Sequence, residues 1–317
     1  MTAETPPSTP SATPSTMPSA MPDALPTSRR DQMLVSPEWL HARLDDPTLR
    51  IIDCSAQLII QPVGASRVES GLPHYQQAHL PGARYLNMAT DLSDPAGRFS
   101  YTFPTDAQIE ARLGEMGIGN EHHIVLYGSG YLGSVTRVWY VLHAAGHARV
   151  SLLDGGFERW RDERRPLTAA LPSVTPTRYR VQRRPELITD AQGVLSAIDD
   201  SATRVINALS REQFLGTGGT HYGRPGSIPN SVSAPAREMI DPLTNRLLPD
   251  EVLRAQLQAA GVWQAERAIS YCGGGIAASI TAFVLEMLGH PHWSLYDNSL
   301  LEWSANPELP IERPGSA

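Results

Sequence analysis

Cys272 ends a short apolar run, Ile269-Ser270-Tyr271, and is followed by three glycines, Gly273-Gly274-Gly275. A thiol becomes a strong nucleophile when it ionises, and nearby hydrogen-bond donors or positive charge favour that ionisation. Successive glycines allow the close-set backbone conformations that aim several N–H groups at one point. Beyond them Ile276, Ile280, Phe283, Val284, Met287 and Leu288 recur at helical spacing. The pattern predicts strand, tight loop and helix, with the helix's unsatisfied N–H groups and positive dipole end beside the sulfur. The donors expected around Cys272 are the backbone N–H groups of Gly273, Gly274, Gly275, Ile276 and Ala277. The plain alternative is a small buried cysteine ahead of a glycine-rich turn. Three glycines in succession favour the reactive thiolate.

A loop of that kind needs strands and helices to hold it. Ser36-Pro37-Glu38 has the form of a helix N-cap with proline at the first helical position. Arg50-Ile51-Ile52-Asp53 and His122-His123-Ile124-Val125-Leu126-Tyr127 read as strands, the second leading into Gly128-Ser129-Gly130. Val135 to Ala145 has helical periodicity, and Val150-Ser151-Leu152-Leu153-Asp154 is a further strand. Strands alternating with helices predict an α/β fold, mostly parallel, with helices on both faces of each sheet.

The second half repeats the first. Arg204-Val205-Ile206-Asn207 answers Arg50-Ile51-Ile52-Asp53, and Ile269-Ser270-Tyr271-Cys272 answers Val125-Leu126-Tyr127-Gly128. Asp297 through Trp303 answers Asp154 through Trp160. Tandem domains are expected at 34–170 and 189–312, joined by a linker at 171–188 and preceded by a disordered tail at 1–33. The first 28 residues hold seven Pro, five Ser, six Thr and four Ala, too little apolar surface to offset ordering. Only the second copy carries the cysteine; the first has Gly128 in its place.

Composition narrows the classes. The 41% hydrophobic and 19% charged content describes a soluble globular chain, and a net charge of −7 gives no basic field for nucleic acid. No run approaches a membrane span. Two cysteines, Cys54 and Cys272, suit a reducing compartment, and the N-terminus lacks the apolar core of a secretion signal, so cytoplasm is expected. Cys54 reads as a buried small side chain. No metal site is expected, because His122-His123 and His290/His292 have no zinc-type spacing beside a Cys or carboxylate.

Taken together, His79-Leu80-Pro81-Gly82-Ala83, Leu153-Asp154-Gly155-Gly156-Phe157 with Trp160, the Cys272 loop, and Leu295-Tyr296-Asp297 with Trp303 resemble two-domain rhodanese-type sulfurtransferases. The resemblance covers about 34–312. It implies a silent first domain and a second whose cysteine takes a sulfane sulfur from a small donor, thiosulfate or 3-mercaptopyruvate. The resulting persulfide is passed to cyanide or a thiol, with no cofactor. A sulfur-relay protein is a further partner it allows. Family members carry arginines near the stretch matching Gln213-Phe214-Leu215-Gly216-Thr217, which makes Arg211, Arg224 and Arg237 candidate donor-binding residues. Asn207, Ser227 and Asn230 depart from the family's usual Asp and Gly-His-Ile-Pro-Gly pattern. Gly273-Gly274-Gly275 supplies neither the basic residues of thiosulfate-preferring members nor the serine that mercaptopyruvate-preferring ones pair with a histidine at the place of His79. The donor is thus left open.

Two other readings compete. A phosphatase on this fold needs an arginine at the loop's far end to hold the phosphoryl group, and Ala278 stands there. A persulfide carrier or rhodanese-like binding module would fit a neutral loop without turnover.

Overall fold

The computed structural model describes residues 1–2, 28–61, 65–218 and 221–314. Short strands rich in Ile, Val and Leu are buried on both sides, which parallel sheets covered by helices require. In the first half these are β1 (Leu34–Val35), β2 (Leu49–Asp53), β3 (Ala56–Ile59), β4 (Arg67–Ser70), β5 (Arg84–Tyr85), β6 (His123–Tyr127) and β7 (Val150–Leu153). The second half has β8 (Ile188–Thr189), β9 (Thr203–Asn207), β10 (Val232–Ser233), β11 (Arg267–Tyr271) and β12 (Trp293–Tyr296).

The first sheet runs β1-β7-β6-β2-β5 and the second β8-β12-β11-β9-β10, all pairs parallel. The two orders match strand for strand, as a duplicated fold demands. The antiparallel hairpin β3–β4 belongs to the first half and has no sequence periodicity strong enough to announce it.

The expected tail is shorter than predicted. Arg29–Met33 forms a helix, with Ser28 accepting from the Asp31 N–H and Met33 entering the core. Arg30 donates to the carbonyls of Leu247 and Leu248, both at 3.1 Å, so contacts with the distant second half supply what local composition lacks. Residues 3–27 of the expected tail lie outside the described residues. The 171–188 segment is extended and adheres to the first half, where Thr177, Gln182 and Arg184 donate to Gly114, Ala145 and Ala144. Its last residue already opens β8.

The sheets are joined through two helices, Leu132–Ala144 and Ala277–Leu288, which follow the two matching loops. Both are apolar on nearly every side, since each covers its own sheet and the other helix. Trp139 meets Phe283 edge-on with ring centroids 4.9 Å apart. Nearer the starts of these helices the Thr136 and Ser279 hydroxyls lie 2.8 Å apart. Arg137, 1% exposed, crosses from the first helix to Asp297 Oδ1 at 2.6 Å and to the Tyr101 carbonyl at 2.5 Å. Burial opposes its charge, and Asp297 more than offsets this, holding the guanidinium above its ordinary pKa.

Arg137→Met should cost about 3–5 kcal/mol in a denaturant titration, because Asp297 would stay buried without its cation. Acid should also weaken the fold. Burial chiefly holds His143 and His123 at about 4, whereas the unfolded chain binds those protons near the ordinary value of about 6.5. Stability present above that value is lost as pH falls toward 4, so the urea midpoint should drop between about pH 7 and about pH 5.

Candidate active site

Cys272 follows β11 and is 2% exposed. Its N–H donates to Ser299 Oγ at 3.0 Å, and Ser299 Oγ in turn donates to the Tyr296 carbonyl at 2.7 Å. The Cys272 and Gly273 carbonyls accept from Leu300 (3.2 Å) and Leu301 (2.8 Å). With its carbonyls held there, the loop keeps its donors for another partner. The N–H groups of Gly273, Gly274, Gly275 and Ile276 bond to nothing among the described residues, and Ala277 opens the helix without a side-chain cap. Gly275 has φ +79°, and a Cβ there would strike the Asp297 carbonyl and the Arg137 guanidinium.

The matching loop of the first half is built alike and used differently. The Ser129 N–H donates to Ser55 Oγ (2.9 Å), Gly130 to Glu158 Oε1 (3.2 Å) and Tyr131 to the Ala56 carbonyl (3.4 Å). Ser129 Oγ also donates to Glu158 Oε1, at 2.6 Å. A carboxylate of the chain itself thus takes one of the loop's N–H donors, and neutral oxygens take the other two. The residue standing at the place of Glu158 in the second half is Leu301, which leaves the Cys272 loop unfilled.

The helix of each half begins at its own loop, and the two helices touch near these beginnings through Thr136 and Ser279. The positive end of the second helix thus lies at the cysteine loop, with the first helix beside it. Three tyrosines enclose the loop. The Tyr222 ring lies over Gly273, where a Cβ would fall inside the ring, and Tyr101 approaches Gly274. The Tyr222 hydroxyl bonds Ser66 and that of Tyr101 bonds the Val68 backbone, so the region of the first-half hairpin holds both. Tyr131 packs against the cluster that contains Cys272.

The three predicted arginines separate. Arg224 donates to the carbonyls of Trp303, Ser304, Asn306 and Leu309, clamping the C-terminal segment, and this corrects its expected role. Arg211 is exposed and forked onto Glu238 at 3.1 and 2.9 Å, its charge already matched. Arg237 is exposed, takes no side-chain partner among the described residues, and its charge acts on the Tyr131 phenol.

The unusual residues support the loop. Asn207 Nδ2 donates to the Tyr271 hydroxyl at 2.9 Å, bracing the residue before Cys272 as Asp53 braces Tyr127 in the first half. Asn230 has φ +57°, which an asparagine tolerates where glycine is usual. Ser227 pairs through its backbone with Glu312. Both His79 nitrogens face carbonyls, of Tyr75 (2.7 Å) and Ala170 (3.2 Å), a turn-holding role. Cys54 is buried, and burial followed by the charge of Asp53 pushes its thiol well above the ordinary range. It is held as an inert thiol.

Comparison with known proteins places this geometry. Residues 36–163 match the model of the rhodanese-like domain. The chain is 30% identical over 302 residues to the mitochondrial thiosulfate/3-mercaptopyruvate sulfurtransferase 1 of Arabidopsis thaliana, covering 88% of this chain and 78% of that one. It is 27% identical to the 3-mercaptopyruvate sulfurtransferase of Escherichia coli K12, covering 88% and 97%. Among solved structures, a 3-mercaptopyruvate sulfurtransferase from Escherichia coli superposes with a TM-score of 0.72 at 24% identity, over 84% of this chain and 98% of that one.

The roof over the loop generates a test. Gly273→Ala must push the Tyr222 ring aside, so iodoacetamide should alkylate Cys272 severalfold faster than in the parent. An unchanged alkylation rate would show that Tyr222 does not shield the thiol.

Proposed function

The chain belongs to the thiosulfate/3-mercaptopyruvate sulfurtransferase family of rhodanese-like proteins, and from that membership we propose that Cys272 is its persulfide-forming nucleophile. It is a sulfurtransferase. Its donors are small sulfur compounds, and its acceptors cyanide or a thiol. Cys272 Sγ attacks the donor's outer sulfur; the new S–S bond forms as the donor's own bond to that sulfur breaks. An acceptor then removes the sulfur and the thiolate returns.

The observation that carries this reading is the contrast between the two loops. In the first half internal partners consume the donors, and Glu158 brings a negative charge to them. In the second half the donors remain unspent around a cysteine, in a water-poor site at the start of an uncapped helix. Donors so placed can receive the anionic outer sulfur of a persulfide. Arg237 is the proposed charge partner for an anionic donor.

A persulfide carrier is the second reading, in keeping with a loop, Gly273-Gly274-Gly275, that brings no charged side chain of its own to the cysteine. A relative from Thermus thermophilus, 27% identical over 295 residues, is named a sulfur carrier protein. Among the described residues no helix is long and apolar enough to cross a membrane, so partners are sought in the aqueous phase.

Incubation with either donor, followed by peptide mass spectrometry, should find one added sulfur on the Cys272 peptide and none on the Cys54 peptide. Cys272→Ser should abolish transfer while Cys54→Ala keeps turnover within a few-fold. Near-native turnover by Cys272→Ser would sink the assignment, and loading without multiple turnovers would favour the carrier.

A further inference from the structure

Tyr131 belongs to the first half, yet the site it faces belongs to the second. It is the N-cap of the Leu132–Ala144 helix and makes no side-chain capping bond. Its ring folds back over the helix's first turn, so that a Cβ on Gly133 would stand 2.6 Å from the phenol oxygen. That turn abuts the cysteine loop. Thr136 touches Ser279, and Arg137 Nη1 lies 3.5 Å from the Gly275 carbonyl. The phenol is packed against the core shared by the two halves, the charges of Cys272, Tyr222 and Arg237 act on it, and its hydroxyl has no hydrogen-bond partner among the described residues.

Resting on the sulfurtransferase reading above, we propose that Tyr131 is a catalytic residue, donating its hydroxyl hydrogen bond to the oxygen on which charge builds when a 2-oxo-3-thio acid gives up its sulfur. Cys272 Sγ forms a bond to the donor sulfur, the carbon–sulfur bond breaks, and its electron pair passes into the carbonyl as an enolate. The donor's thiol proton stays with the new persulfide, and water supplies the proton that completes the methyl group. Tyr131 keeps its own proton throughout. Burial, then the charges of Cys272 and Tyr222, push the phenol's pKa up, so it stays protonated at neutral pH and is available as a donor. Thiosulfate poses no such demand, because sulfite leaves as a stable anion without an enolate.

The two donors therefore separate the roles. With 3-mercaptopyruvate, Tyr131→Phe should lower kcat by roughly 10²-fold with KM little changed, as for loss of a donor that acts in the transition state. With thiosulfate the same variant should stay near the parent rate. Gly133→Ala, which displaces the phenol without removing it, should show the same donor-selective loss, and equal melting temperatures would confirm that both variants fold. Unchanged kcat with 3-mercaptopyruvate, an equal loss with both donors, or a parent that turns over thiosulfate alone would overturn the role of Tyr131 and leave the sulfurtransferase reading standing. A parent that transfers sulfur from neither donor would remove both.

Discussion

The contact between the helices Leu132–Ala144 and Ala277–Leu288 is the constraint on which the site depends. Each helix starts at a loop following the central strand of its own sheet, so pressing the two together brings both loops to one place. The contact is apolar along most of its length and tightens to a hydroxyl pair, Thr136 with Ser279, near the loops. Beside it the buried Arg137–Asp297 pair fixes the angle at which the halves meet. A buried pair of this kind adds little net stability over a well-packed apolar contact, but it tolerates few alternative arrangements. That is useful where one loop must hold its place against a neighbouring helix.

Around this axis the halves exchange parts nearly symmetrically. Asp297 receives Arg137 from the first half, and the matching Asp154 receives Arg246 from the second, at 3.0 Å to Oδ1. Tyr101, with φ +65°, reaches over the second loop, while Asn245, with φ +54°, donates to the Gly130 carbonyl of the first. At the two loops the symmetry breaks. Cysteine faces glycine, and Leu301 faces Glu158.

Much of this was legible in the sequence. The alternation of buried strands and helices, the duplication and the Cys272 loop all follow from local patterns, which parallel sheets and helix starts impose strongly. The β3–β4 hairpin did not show because its strands carry no strong alternation, and the Arg29–Met33 helix because it leans on the distant Leu247 and Leu248 carbonyls. Two of the three arginines, Arg211 and Arg224, could not be judged from the sequence for a related reason. A cation near a motif says nothing of whether carbonyls, as at Arg224, or a carboxylate, as at Arg211, already satisfy it. The enclosing tyrosines were invisible because Tyr101 and Tyr131 come from the opposite half, and the role of Tyr222 depends on the ring seated against Gly273. In Gly133, with no room for a Cβ beneath Tyr131, the sequence held one unread sign of that arrangement.

Glu158 also bears on the history of the duplication. A loop that merely lost its cysteine could regain it by one substitution, but here a carboxylate has moved into the space a substrate anion would need. A cysteine restored at Gly128 would meet a negative charge where it requires donors, and would be held as an unreactive thiol. Reversal therefore needs two coordinated changes, neither useful alone.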